Sequence, residues 1–254
     1  MTTPTAVWNE LRLAEEPAVD LLEGLGYAYV PAEELLSDRG GSERQPVLVS
    51  RLERALRRLN PWLTGDALRR AVRAVTHVEA ADLMEANEKA YVALTYGVAV
   101  EVEENGRRMS RTVRYFDFDD PANNEFLVTR QYRVAGQRKV IKPDVVVFVN
   151  GVPLAVIECK PPTLGEEWRF EATEQLERYQ ELDEKWRQQG APQLFHTVQA
   201  VIAACGQAAC FGTVGTPGRA YLEWKTPHPL SEDELAELLG RTPTPQDVLL
   251  AGLL

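Results

Sequence analysis

The chain has 254 residues, 44% of them apolar, and a formal net charge of −10. That is enough core-forming sequence for one large mixed domain, and too acidic a balance for general affinity to nucleic acid. No apolar run reaches the roughly 18 residues of a membrane span, and residues 2–16 lack the basic-then-apolar pattern of a signal peptide, so a cytoplasmic protein with no membrane partner is expected.

Residues 14–25 read as a short helix closing at Gly24 or Gly26, with an acidic side chain, Glu16, in its first turn. After a Gly-Gly loop, residues 46–59 and 65–76 place apolar residues at helical spacing on either side of Asn60-Pro61, and 79–94 gives a further helix. From Gly97 the period changes to two. Val98, Val100 and Val102, a Glu-Asn-Gly turn at 104–106, and Val113, Tyr115 and Phe116 predict antiparallel strands, where the sheet is expected to begin. Strands follow at 126–134, 144–149 and 152–160, the last stopped by Pro161-Pro162. A helix over 167–188, strands near 198–204, 208–214 and 219–224, and an acidic helix over 231–239 complete the order, and Pro243 and Pro245 open one more helix. The apolar ending Ala-Gly-Leu-Leu gives the expectation that the sequence is part of a longer protein. This order predicts an α/β fold, a mixed central sheet covered by helices on both faces.

Arginines cluster at 51, 54, 57 and 58, at 69, 70 and 73, and at 107, 108, 111 and 114. They are read as charged faces of solvated helices and a hairpin. Cys159, Cys205 and Cys210 are an odd set without a Cys-x-x-Cys pair or histidines at ligand spacing, which argues against disulfides and zinc and leaves them as small buried residues. His77, His196 and His228 are isolated, and no Gly-x-Ser-x-Gly is present, so nothing indicates serine or cysteine hydrolase chemistry.

The strongest signal is residues 143–160, where two nearly all-apolar strands carry Asp144, Glu158 and Lys160. Lone charges in such strands cost several kcal/mol unless they are paired or bind a metal, so the three are expected to share one site. Glu158 and Lys160, two apart, project from one face of a strand. A plain two-residue Asn150-Gly151 turn would pair residues whose numbers sum to 301 and turn Asp144 away from Glu158. A three-residue loop or one bulge is therefore predicted. Asp144 and Glu158 are hard oxygen ligands suited to Mg²⁺, with the Cys159 backbone carbonyl as a further ligand. Lys160 beside the metal can position the attacking water and offset charge on phosphoryl oxygens. The competing reading is a closed, buried ion-pair cluster. Glu-x-Lys by itself is weak, with roughly one expected by chance at average usage. A second copy, Glu223-Trp224-Lys225, is read as a solvated face with Trp224 packed beneath. Gln175 and Tyr179 share a helix face that could point at the site.

Taken together, Pro-Asp, an apolar strand, Asn-Gly-x-Pro, a strand ending Glu-x-Lys, and Gln-x-x-x-Tyr resemble the N-terminal nuclease region of the restriction subunit of type I restriction endonucleases, within the PD-(D/E)xK superfamily. Residues 124–131, the 193–195 block with Gly206 and Gly212, and Trp224-Lys225 extend the resemblance over almost the whole chain. The resemblance implies a restriction-endonuclease-like core. Residues 1–95 would form its N-terminal helical part, 96–230 the nuclease core, and 231–254 a helical link toward an ATPase and translocase region. It implies Asp144 and Glu158 as metal ligands, Lys160 as the catalytic lysine, and Gln175 and Tyr179 as the helix motif near DNA and the active site. It also implies a supporting N-terminal glutamate, for which Glu16 is preferred over Glu15. The activity implied is Mg²⁺-dependent cleavage of double-stranded DNA beside specificity and methyltransferase subunits. No Gly-x-x-x-x-Gly-Lys-Ser/Thr is present, so ATP would be used outside this region. The alternatives are a catalytically silent docking module and a repair or recombination nuclease of the same superfamily.

Overall fold

In the computed structural model, residues 11–104 and 107–254 are described; the central residues of the expected Glu-Asn-Gly turn lie outside them. A π-helical turn, Leu11–Glu15, leads into α1 (Glu16–Gly24), which has a proline in its first turn and buries Ala18, Val19, Leu21 and Leu22. The short strand β1 (Ala28–Tyr29) follows, then α2 (Val49–Leu59), α3 (Gly65–Thr76) and α4 (Leu83–Tyr96). Asp82 caps α4 by accepting from the Glu85 N–H. Strands β2 (Val98–Glu104) and β3 (Arg107–Val113) pair as an antiparallel ribbon, and β4 (Phe126–Arg130), β5 (Val134–Ala135), β6 (Val140–Ile141), β7 (Val145–Val149) and β8 (Val152–Cys159) come next. Helix α5 (Glu167–Gln180), strands β9 (Ala200–Ala204) and β10 (Ala209–Gly212), and helices α6 (Glu232–Leu239) and α7 (Pro245–Leu253) complete the chain.

The expected mixed α/β architecture is present. The central sheet has six strands in the order β1-β4-β7-β8-β9-β10, with parallel pairing at β1–β4 and β8–β9 and antiparallel pairing elsewhere. Its apolar strands are covered twice. Val146, Phe148, Val156 and Val201 pack with Leu176 and Tyr179 of α5, while Val145, Val147, Ile157 and Ile202 pack with α1 and with Leu249 and Leu250 of α7. A third cluster joins α2 and α3 to the β2–β3 ribbon through Leu52, Leu56, Ala71, Val100 and Tyr115.

Four expectations are corrected. The β2–β3 ribbon is a separate two-stranded sheet on α3, so the central sheet does not start at Gly97. The strand expected over 126–134 breaks at Gln131, whose φ is 56°. The helix expected over 167–188 stops at Gln180 because Glu181 takes a left-handed conformation, and a short 3₁₀ turn follows at Glu184–Trp186. Residues 219–224 form no strand: Gly218–Ala220 is a 3₁₀ turn, and only Leu222 bridges to Phe211. Residues 231–254, expected as a helical link, form the helices α6 and α7, both of which touch α1.

Candidate active site

The site forms where β7 and β8 leave the middle of the sheet. Near their turn the two strands pair with a sum of 301 (Val149 with Val152, Phe148 with Pro153). One residue further along, Val147 pairs with Ala155, and the sum is 302 onward to Val145 with Ile157. Leu154 is the extra residue of this bulge, so the Asn-Gly turn and the even register coexist. The shift brings Asp144 opposite Glu158, as the charged pattern required.

Asp144, Glu158 and Lys160 are 7%, 0% and 8% exposed. Lys160 Nζ donates to Glu158 Oε1 at 2.7 Å and to the Cys159 carbonyl at 3.2 Å. Asp144 Oδ2 accepts from the Cys159 N–H at 2.8 Å and Oδ1 from Gln131 Nε2 at 3.0 Å. Burial pushes the Asp144 carboxyl above its ordinary value against the pull of Lys160 and these donors. Burial, and then the neighbouring Asp144 charge, push Glu158 well above the carboxylate range despite Lys160. The Cys159 thiol is raised well above its ordinary value by burial, so it stays neutral, and its side chain packs in the apolar cluster under α1 and α7.

The donor set fits a hard divalent cation. Glu158 Oε2 is buried with no hydrogen-bond partner, the only carboxylate oxygen so placed among the described residues. Two adjacent carboxyls that burial holds above their ordinary values gain from a positive charge placed between them. Among the described residues no three His, Cys, Asp or Glu side chains converge into a closed cage. Two carboxylates and a carbonyl suit Mg²⁺, which keeps several waters, better than a fully caged ion.

Of the two N-terminal acids it is Glu15, and not the preferred Glu16, that lies beside Asp144. Glu15 is 5% exposed, and both its oxygens lie 3.2 Å from Gln131 Nε2, the amide that also binds Asp144. Glu16 points elsewhere, 3.9 Å from Arg130 Nη1, with its side chain 44% exposed. The π-helical turn ending at Glu15 sets which of the adjacent acids faces the strands.

The Gln-x-x-x-Tyr pair divides its work. Gln175 lines an open cleft of about 780 Å³ with Lys160, Phe170, Glu174, Arg178 and Trp186. Tyr179 is a core residue whose hydroxyl accepts from Gln175 Nε2 at 2.6 Å. Burial, and then the Glu158 charge, raise its phenol, so it remains an uncharged support.

The remaining candidates are structural. Glu223 and Lys225 are exposed, and Trp224 packs edge-on against Phe211. All three cysteines are free and buried. Arg51 binds Asp38 and Glu125, and Arg58 binds the Asn123 carbonyl and Asn150 Oδ1, so part of the α2 arginine cluster is tied to the fold. Among the described residues no helix is long and apolar enough to cross a membrane.

A protein-family model described as Type I restriction enzyme R protein N terminus matches residues 8–219. The chain belongs to this family. Among its relatives, the type I restriction enzyme HindI endonuclease subunit of Haemophilus influenzae is 30% identical over 247 residues, covering 92% of this chain and 23% of its own length. A protein of Methanocaldococcus jannaschii, provisionally named as the endonuclease subunit of type I restriction enzyme MjaIXP, is 28% identical over 268 residues, covering 100% of this chain and 25% of its own length. The chain therefore spans about a quarter of the length of these relatives. Within this R-subunit N-terminal frame, Gln131 is the functional candidate that motif reading missed. It closes an ordinary-looking Phe-Leu-Val-Thr-Arg strand, and its backbone conformation has no local sequence signal.

Proposed function

We propose that this region is the nuclease of a type I restriction enzyme R subunit, hydrolysing phosphodiester bonds of double-stranded DNA with Mg²⁺. The observation that carries the reading is Glu158: a fully buried carboxyl with one oxygen on Lys160 and the other turned to a second raised carboxyl, Asp144, across a bulged pair of strands. Asp144, Glu158 and the Cys159 carbonyl would hold the cation. When bound, it supplies Lewis-acid activation of water and neutralises charge building on the phosphoryl group.

The chain's own groups do the rest. Lys160 carries three ammonium donors at the floor of the cleft, where it orients the attacking water and stabilises negative charge on the phosphorus oxygens. Gln175, steadied by Tyr179, presents its amide to a DNA strand entering the cleft. Glu15 completes the negative surroundings that favour a cation. The low overall basicity suits a nuclease brought to DNA by other parts of an assembly: ATP-driven translocation elsewhere in the subunit, and separate specificity and methyltransferase subunits in the cytoplasm.

The test is plasmid cleavage by the complete enzyme with Mg²⁺ and ATP, comparing wild type with Glu158→Ala. Loss of cleavage with retained ATP hydrolysis and assembly supports the reading. Undiminished cleavage overturns it.

A further inference from the structure

Gln131 stands in a left-handed conformation, φ 56°, directly after β4. Glycine, asparagine and aspartate reach that region readily and glutamine does not, so something must hold it there. Its backbone N–H donates to the Asp144 carbonyl at 2.8 Å, which seats it beside the start of β7. Its side-chain nitrogen lies 3.0 Å from Asp144 Oδ1 and 3.2 Å from both Glu15 oxygens. Three carboxylate oxygens surround this end of the amide, so only the NH₂ can face them, and its two hydrogens serve one acid each.

We infer that Gln131 is a positioning residue for the cation site: its amide couples Glu15 to Asp144 and, with the Cys159 N–H, fixes the plane of the Asp144 carboxylate. Each Asp144 oxygen then has one donor in the protein and keeps acceptor capacity for a metal. Without the amide, the bridge between Glu15 and Asp144 is lost, and Asp144 Oδ1 loses its protein donor. The inference rests on the metal-dependent reading above.

The test is calorimetric titration of Mn²⁺ into this chain as wild type, Asp144→Asn, Gln131→Ala and Gln131→Gly, with a metal-free thermal melt of each. Both Gln131 variants lose the amide, but alanine is strained at positive φ and glycine is not. The expected result is Mn²⁺ uptake by wild type, none by Asp144→Asn, and affinity reduced about 10- to 100-fold in both Gln131 variants, although Gln131→Gly melts above Gln131→Ala. Affinity lost only in Gln131→Ala, in step with its melting temperature, would make Gln131 a backbone element and overturn the inference. Wild-type affinity in both variants would also overturn it while leaving the metal site standing. No uptake by wild type would overturn the metal reading itself, and the inference with it.

Discussion

The backbone N–H of Cys159 donates to Asp144 Oδ2 at 2.8 Å, so the strand that presents Glu158 also orients the other carboxylate. The two acids are thereby tied to the same strand, with the Gln131 amide as the second hold on Asp144. Burial raises both carboxyls for the same reason that it would favour a divalent ion between them.

Lys160 sits on oxygens that a cation would use, Glu158 Oε1 and the Cys159 carbonyl. Removing it should separate binding from chemistry. Lys160→Ala is expected to bind Mn²⁺ at least as tightly as wild type, because a competing ammonium is gone. Cleavage by the complete enzyme should fall by about a hundredfold or more, because the two carboxyls lose the cationic donor beside them. Calorimetry on this chain and plasmid cleavage by the complete enzyme check the two halves. Weakened metal binding would show that Lys160 holds the site together rather than acting in it.

Glu15 and Glu16 are adjacent in sequence and differ sharply in surroundings. Glu15→Gln removes one charge beside the Gln131 amide and is expected to weaken Mn²⁺ binding about tenfold. Glu16→Gln alters only an exposed contact near Arg130 and should leave the affinity unchanged. Reversal of that order in parallel titrations would restore Glu16 as the supporting acid.

How much of this was legible in the sequence depends on whether a feature is local. Charges within apolar strands marked Asp144, Glu158 and Lys160, and alternation parity demanded a bulge, because side-chain direction follows from residue count alone. The position of that bulge, at Leu154, was not written locally. Nor was the phase of the N-terminal turn that selects Glu15, since one π-helical turn rotates every later side chain. Gln131 was hidden because its role is made by residues 13 and 116 positions away. The strand expected over 219–224 failed because the segment pairs through a single bridge and then leaves the sheet.

The α2 arginines give a prediction about stability. Arg51 donates from Nε to Asp38 at 2.6 Å and from Nη1 to Glu125 at 2.5 Å, joining α2 to the 3₁₀ helix Glu34–Arg39 and to the residue before β4. Burial alone would raise the Asp38 carboxyl, but hydrogen bonds from Ser50 and Arg51 and the nearby Arg51 and Arg54 charges hold it below its ordinary value. A depressed acid stabilises the fold above its unfolded pKa, here near 3.8, and that stability is lost as pH falls through the folded value. Arg51→Ala is expected to cost about 1–3 kcal/mol at pH 7, between the values for exposed and buried pairs. The cost should shrink toward zero in strong acid. Urea unfolding at pH 7 and pH 3 checks this; a cost independent of pH would assign the effect to packing of the arginine stem.

Gly151 tests the turn from which the whole register is counted. Asn150 and Gly151 have φ of 51° and 80°, the left-handed pair that a tight Asn-Gly hairpin turn demands. Asn150 is fully buried, donating to the Tyr115 carbonyl and Asn124 Oδ1 and accepting from the Glu125 N–H. The Gly151 carbonyl accepts from the Leu48 N–H at 2.8 Å, locking the turn against the start of α2. A Cβ on Gly151 would lie 2.6 Å from the Leu48 carbonyl oxygen and 2.9 Å from the Leu52 nitrogen, both backbone atoms that cannot step aside. Gly151→Ala is therefore expected to destabilise the fold by about 2–4 kcal/mol, combining left-handed strain with overpacking. The bulge lies between this turn and the acids, so molecules that remain folded should bind Mn²⁺ as wild type does. Denaturant unfolding and calorimetry below the melting temperature separate the two effects. A lost metal site in a folded Gly151→Ala protein would mean that the turn, and not the bulge, sets the pairing of Asp144 with Glu158.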